Sequence, residues 1–214
     1  MSSMPLANAA EPGAPGASGR GQHGSPHGSQ PGSHHGGHNL TGMVIFLCSE
    51  SVIFLAFFAG YGVLKLSSPV WLPAGVEGLE VRSPLINTII LVSSSFVAYF
   101  AERQLQRGSL WGFRALWLLT MAMGSYFVVG QAIEWRGLAF SLRDGVFGGS
   151  FYLLTGFHGL HVITGILLMG LMLARSFRPG NYDGGEAGVT AVSLFWHFVD
   201  VIWIILFALI YLWQ

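Results

Sequence analysis

The chain has 214 residues, of which 52% are hydrophobic and only 9% are charged, whereas soluble domains carry about 25% charged residues. Ten basic residues balance ten acidic ones, so the chain lacks the basic excess that draws proteins to nucleic acid. The single cysteine, Cys48, can form neither an intrachain disulfide nor a cysteine metal site alone. This composition excludes a soluble domain and a nucleic-acid-binding protein, and it indicates a membrane protein.

Residues 1–41 form a tail rich in Gly, Ser, Pro and His, with no apolar periodicity. This composition predicts disorder. The tail has no apolar stretch of signal-peptide length, so we expect the first long apolar run to carry the chain into the membrane. Its histidines are irregularly spaced, which favours solvated side chains over a specific metal site.

From residue 42 onward, five long apolar runs are separated by short polar or Gly/Pro-rich segments. The runs cover residues 43–65, 84–101, 115–133, 151–174 and 190–213. Each is close to the roughly 20 residues that an α-helix needs to cross a hydrocarbon core. Short connections make consecutive helices antiparallel neighbours. The sequence therefore predicts an all-α, polytopic membrane protein in which residues 42–214 form a five-transmembrane-helix bundle.

Basic residues and glycines add two expectations about this bundle. The loops on one side, with the tail, contain Arg20, Arg103, Arg107, Arg114, Arg175 and Arg178, and those on the other contain Lys65, Arg82, Arg136 and Arg143. The positive-inside rule places the richer side, and with it the N-terminus, inside. Glycines within the runs, among them Gly124 and Gly165, predict close approach between helices.

Acidic residues within the runs are candidate functional groups, because a charge deep in a bilayer persists only if it is neutralised, paired or hydrated. Glu50 lies about 10 Å inside the first run, given the rise of about 1.5 Å per residue. It could relay protons, or it could hydrogen-bond to a neighbouring helix as a neutral acid, and we favour the second role. Glu134 and Asp144 lie near the ends of runs, where we expect hydrogen bonds within loops.

Two further polar pairs have a three-residue spacing, which places each pair on one helix face. His158 and His161 could bind haem, a metal or a proton. Zinc and di-iron sites recruit further carboxylate or histidine ligands at matching depth, and the Glu-x-x-His pattern of helical di-iron bundles is absent here, so we favour interhelical hydrogen bonds. For His197 and Asp200 we favour a structural ion pair, with a place in a proton path as the alternative.

Five segments of the chain have distinctive sequences. They are residues 49–54 (SESVIF), 83–88 (SPLINT), 144–148 (DGVFG), 155–162 (TGFHGLHV) and 195–203 (FWHFVDVIW). Together they resemble subunit III of haem-copper terminal oxidases, the cytochrome c oxidase subunit 3 family, in its five-helix bacterial form. The similarity runs in the same order from about residue 42 to the C-terminus, and the last two segments are highly specific.

The resemblance implies a redox-inert accessory subunit that lies beside the catalytic subunit I and subunit II of a proton-pumping oxidase. Such an oxidase reduces oxygen to water in aerobic respiration and receives its electrons from cytochrome c. Haem and copper are expected in the partner subunits, whereas this chain is expected to have no catalytic centre, cofactor or metal site and to have membrane phospholipid as a possible ligand. Glu50 matches the buried acidic residue of the family, which implies a role in proton uptake by the catalytic subunit.

Alternative functions remain open at this point. A glutamate at position 50 is more similar to the cytochrome c branch than to the quinol oxidase branch, which often has aspartate there. A small proton-coupled transporter could use Glu50 and the histidines as a relay, but transporters usually contain an internal repeat with broken helices, which this sequence lacks. An enzyme with its own intramembrane metal is the third alternative. The expected location is a bacterial plasma membrane or an internal energy-converting membrane.

Overall fold

A computed structural model describes residues 34–72, 78–178, 180, 182 and 186–213. These residues form five long helices and no strand. The helices are α1 (His34–Ser67), α2 (Arg82–Gln106), α3 (Leu110–Gly137), α4 (Gly145–Ser176) and α5 (Ala187–Phe207), and α5 continues as a π-helical turn (Ala208–Leu212). All five are long and apolar enough to cross a membrane. The predicted all-α fold with five transmembrane helices is thus confirmed.

The helices extend beyond the apolar runs that predicted them. The first helix begins at His34, inside the segment expected to be a disordered tail, and residues 1–33 of that segment lie outside the described part of the chain. The second helix continues past position 101 to Gln106. It stops just before Gly108, whose φ of 78° is a conformation that glycine adopts without strain. An apolar run therefore marks the membrane-immersed part of a helix and not its ends.

Helix α5 is the central element of the bundle. It packs against α1, α2 and α4, while α3 packs against α2 and α4. Within the most apolar stretch of each helix, 56% of the residues are buried in α5 but only 11% in α1. Helices α2 to α5 thus form a closed ring, and α1 lies at its edge with most of its surface uncovered.

The side chain of Trp196 fills the centre of the ring. Its indole N–H donates to Ser94 Oγ on α2 at 2.9 Å. A Cβ atom added to Gly124 would lie 2.5 Å from this indole, and one added to Gly165 would lie 2.8 Å from it. Both glycines were predicted to allow close approach between helices. They make room for the side chain of Trp196, and this side chain joins α5 to α2, α3 and α4.

The outer surface of the bundle is apolar. Large side chains that face outward include Val52, Leu66 and Leu167, which are 67%, 79% and 69% exposed. Water would strongly disfavour such extended apolar surface, whereas a hydrocarbon environment accommodates it. Together with the five membrane-spanning helices, this surface makes the protein an integral membrane protein.

Candidate functional site

Glu50 of α1 and His161 of α4 form a direct contact between a carboxyl group and an imidazole. Glu50 Oε2 lies 3.1 Å from His161 Nε2, and the two side chains are only 15% and 11% exposed. The other ring nitrogen, Nδ1, lies 2.9 Å from the carbonyl oxygen of Phe157. A carbonyl only accepts hydrogen bonds, so Nδ1 carries a proton. One further proton then lies between Oε2 and Nε2, either on a neutral glutamic acid or on an imidazolium that faces a carboxylate.

Aromatic rings surround this Glu50–His161 pair. The imidazole is 5.1 Å from the ring of Phe54 and 4.8 Å from that of Phe157, and it stacks with Phe195 at 6.3 Å between centroids. These rings come from α1, α4 and α5. They exclude water and lower the local dielectric constant, which strengthens the hydrogen bond between the two polar groups. The Glu50–His161 pair therefore couples the edge helix α1 to the ring of helices α2 to α5 through one shared proton.

His158 does not share this site, although it lies on the same helix. Its side chain is fully buried, and neither ring nitrogen has a hydrogen-bond partner among the described residues. The imidazole stacks with Trp203 at 4.9 Å and meets the edge of Phe127 at 6.0 Å. The expected interhelical hydrogen bond is therefore present for His161 but wrong for His158, which packs as an aromatic ring.

His197 and Asp200 are joined through Ser95 of α2 and do not form the direct ion pair that their spacing suggested. The Ser95 hydroxyl donates to Asp200 Oδ2, so its oxygen accepts from His197 Nδ1, which lies 3.0 Å away. The other carboxylate oxygen, Oδ1, is buried without a partner among the described residues. The serine was not identified from the sequence, because only the fold brings α2 against this face of α5.

This three-residue link continues along α5 as a row of polar side chains, which we call the α2–α5 polar seam. Ser193 Oγ lies 3.5 Å from His197 Nε2. Further along, the Thr190 hydroxyl donates to Glu102 Oε1 of α2 at 2.6 Å. The seam thus comprises Glu102, Thr190, Ser193, His197, Ser95 and Asp200. It runs from the end of α2 to the middle of α5.

Glu102 was missed in the sequence because the second apolar run was taken to end at position 101. Since α2 continues to Gln106, Glu102 is a helical residue. It lies two turns beyond Ser95, and a seven-residue spacing places two side chains on nearly the same helix face. This spacing is the signal that could have identified Glu102.

The two acidic residues near the ends of the apolar runs differ in their contacts. Glu134 accepts hydrogen bonds from Tyr211 at 2.8 Å and from Gln131 at 3.2 Å. It therefore joins α3 to the end of α5, and the expectation of loop bonding is wrong for it. Asp144 accepts the backbone N–H of Ser141 at 2.6 Å, a loop hydrogen bond as expected.

A zinc site needs more protein ligands than the Glu50–His161 pair supplies. In the described part of the chain, no three His, Cys, Asp or Glu side chains come together. The Glu50–His161 pair supplies two potential metal ligands, and its further neighbours are the backbone carbonyl of Phe157 and aromatic rings. Zinc sites take three or four such ligands. The chemistry that these residues support is hydrogen bonding and proton sharing between helices.

Comparisons with known proteins point to one family. The sequence model described as "Cytochrome c oxidase subunit III" matches residues 24–214. The chain is 45% identical over 172 residues to "Cytochrome c oxidase subunit 3" of Thermostichus vulcanus, covering 80% of this chain and 85% of that protein. It is 43% identical to the protein of that name from Synechocystis sp., covering 90% and 78%. It is 38% identical to the protein of that name from Lumbricus terrestris, covering 80% and 69%.

Proposed function

Because the chain belongs to the cytochrome c oxidase subunit III family, we propose that it is the redox-inert accessory subunit of a proton-pumping cytochrome c oxidase. Its partners are then the catalytic subunit I and subunit II, which hold the haem and copper, and cytochrome c is the electron donor to the complex. The observation that carries this proposal is the family match, which spans residues 24–214 and therefore includes all five helices. The chain's own task is to support assembly, stability and proton uptake.

The Glu50–His161 pair supports the part of the proposal that concerns protons. The pair shares one proton at a distance of 3.1 Å in a water-poor aromatic surrounding. A neighbouring subunit that alters the local field can move this proton between Glu50 Oε2 and His161 Nε2, which redistributes charge within the pair while its net charge stays the same. In this role Glu50 and His161 tune proton supply to the catalytic subunit and do not conduct protons through the chain.

The remaining candidate residues have structural roles in this proposal. His158 fills the core beside Trp203, while His197 and Asp200 hold α5 to α2 through Ser95. Removal of one partner in such a buried network leaves the others unsatisfied, which is costly in hydrocarbon. These residues therefore maintain the shape that the neighbouring subunits recognise.

The electron donor and the membrane orientation complete the proposal. The relatives named "Cytochrome c oxidase subunit 3" support cytochrome c over quinol as the donor. Five arginines lie where α2 ends, α3 begins and α4 ends: Arg103, Arg107, Arg114, Arg175 and Arg178. This excess of basic residues supports an inside location for that side of the bundle and for the N-terminus. A purified complex that oxidises quinol and ignores cytochrome c would contradict the choice of donor.

Affinity purification of the full chain from its own membrane tests the proposal. We expect it to bring down subunit I and subunit II, and we expect the visible spectrum of the complex to show haem. The complex should consume oxygen when reduced cytochrome c is supplied. A colourless protein that never associates with haem- or copper-bearing partners would contradict the assignment.

A further inference from the structure

Tyr126 of α3 faces away from the bundle in the middle of its helix, where its side chain is 54% exposed. Along the helix axis it lies about 18 Å from Arg114 and about 15 Å from Arg136, the two basic residues of α3. Arginines near the ends of a membrane-spanning helix extend to the headgroup region. Half of the hydrocarbon core is about 15 Å thick, so Tyr126 lies near the centre of the bilayer. Tyrosine is ordinarily enriched at the membrane interface instead.

The hydroxyl group of Tyr126 has no hydrogen-bond partner among the described residues. Other outward-facing hydroxyl groups are satisfied within their own helices. Ser51, Ser125 and Thr164 each donate to the backbone carbonyl four residues earlier, at 2.7, 2.8 and 2.9 Å. A tyrosine ring holds its hydroxyl too far from its own backbone for such a bond, and acyl chains offer no acceptor. The Tyr126 hydroxyl therefore needs an acceptor from another protein.

Tyr126 belongs to a row of exposed side chains, which we call the outer α3 row. Its members are Ala115, Leu119, Ala122, Tyr126, Val129 and Ile133. They are spaced alternately by four and three residues, as are side chains along which a second helix packs. The opposite face of α3 has a buried row with the same spacing, namely Phe113, Trp117, Thr120, Gly124, Phe127 and Gln131. The two alanines of the outer α3 row are small enough to let a neighbouring helix approach closely.

We propose that a transmembrane helix of a partner subunit packs along the outer α3 row and accepts a hydrogen bond from Tyr126 at the centre of the bilayer. The acceptor is an oxygen atom or an imidazole nitrogen of that helix. A second copy of this chain is a poorer partner. A two-fold axis along the membrane normal would place two Tyr126 hydroxyls against each other, and one of the two protons would then lack an acceptor. The inference rests on the proposed function, because the partner is taken from the oxidase complex.

The first experiment identifies the neighbour of α3 in the intact complex. The photoreactive residue p-benzoylphenylalanine is introduced at Val129 of the full chain, one turn from Tyr126, and native membranes are irradiated before purification. We expect an adduct with another polypeptide of the complex, identified by mass spectrometry. A chain that co-purifies with oxidase subunits but yields only lipid adducts, or only a dimer of itself, would overturn this inference and leave the proposed function intact. A chain that never co-purifies with them would contradict both.

The second experiment measures the hydrogen bond by rebinding the purified chain to the complex from which it has been stripped. Tyr126→Phe should bind about threefold to tenfold more weakly, the range for one hydrogen bond between membrane helices. The melting temperature of the isolated variant should stay unchanged, because the hydroxyl has no partner within the described chain. The matched control is Tyr152→Phe, which removes a hydroxyl that donates to the carbonyl of Phe140 at 3.0 Å. It should lower the melting temperature of the chain and leave rebinding unchanged.

A third variant tests the close approach of the partner helix. Ala122→Phe adds a large side chain to the outer α3 row and should weaken rebinding at least about tenfold, since a packed interface does not accommodate the added volume. Ala122 is exposed, so the substitution does not overfill the core of this chain. Rebinding of Tyr126→Phe with wild-type affinity would overturn the proposed hydrogen bond, and rebinding of Ala122→Phe with wild-type affinity would overturn the proposed surface.

Discussion

Replacement of Glu50 by glutamine tests how the shared proton is held between α1 and α4. The Nδ1–H of His161 is committed to the carbonyl of Phe157, which leaves one proton between Oε2 and Nε2 at 3.1 Å. If Glu50 is the neutral acid, the glutamine amide can donate to Nε2 in its place, and the change costs about 0.5–1.5 kcal/mol, the net value of one hydrogen bond. If the pair is ionised, removal of the carboxylate leaves a buried charge unpaired and costs about 3–5 kcal/mol.

We expect the smaller cost, because the aromatic surrounding disfavours two separated charges. The assay is thermal unfolding of the detergent-solubilised full chain, followed by circular dichroism, in which about 1 kcal/mol corresponds to a shift of about 2–4 °C for a chain of this size. Glu50→Gln should melt within about 6 °C of the wild type. Glu80→Gln, at an exposed glutamate, is the matched control and should not shift. Failure to fold, or a loss of about 10 °C or more, would show that the pair is ionised and refute this reasoning.

Three further substitutions test other contacts by the same assay. Ser95→Ala removes the hydroxyl that joins the imidazole and carboxylate of α5 and should cost about 1–3 kcal/mol; an unchanged midpoint would refute the link. Gly124→Ala puts a methyl group 2.5 Å from the buried indole of Trp196 and should cost about 1–3 kcal/mol of stability. Its control is Gly60→Ala, whose methyl group meets nothing within 4 Å and which should be neutral or stabilising. Equal effects of the two substitutions would contradict the position of the indole. Burial, and then the charge of Glu102, raise the pKa of Glu186 above the ordinary value of a glutamate. Ionisation of Glu186 therefore destabilises the folded state as the pH rises from the ordinary pKa through the raised pKa. Glu186→Gln should therefore be more stable than wild type at about pH 8 and equal to it towards about pH 4; a constant difference would contradict the shift.

The five helices could be predicted because each apolar run of membrane length is a sufficient signal by itself. Helix ends could not be predicted equally well. Outside the hydrocarbon region a helix can continue with polar residues, as α2 does from Glu102 to Gln106, until a residue such as Gly108 ends it. Hydropathy reports the immersion of a segment, whereas backbone conformation decides where the helix stops.

Candidate polar residues were identified individually, but most of their partners were not. Glu50 and His161 are 111 residues apart, so only the packing of α1 on α4 brings them together. The three-residue spacing of His158 and His161 suggested a shared site. Three residues turn an α-helix by about 300°, which leaves the two side chains about 60° apart. On a helix with neighbours on several sides, that angle lets His158 face Trp203 while His161 faces Glu50.

The absence of redox centres from this chain is the central claim of the proposed function. It is tested most directly by the iron and copper content of the oxidase complex after this chain has been stripped from it, with the released chain measured in parallel. We predict that the stripped complex keeps its full iron and copper and that the released chain contains neither in stoichiometric amount. Stoichiometric iron or copper in the released chain, matched by a loss from the complex, would contradict the account.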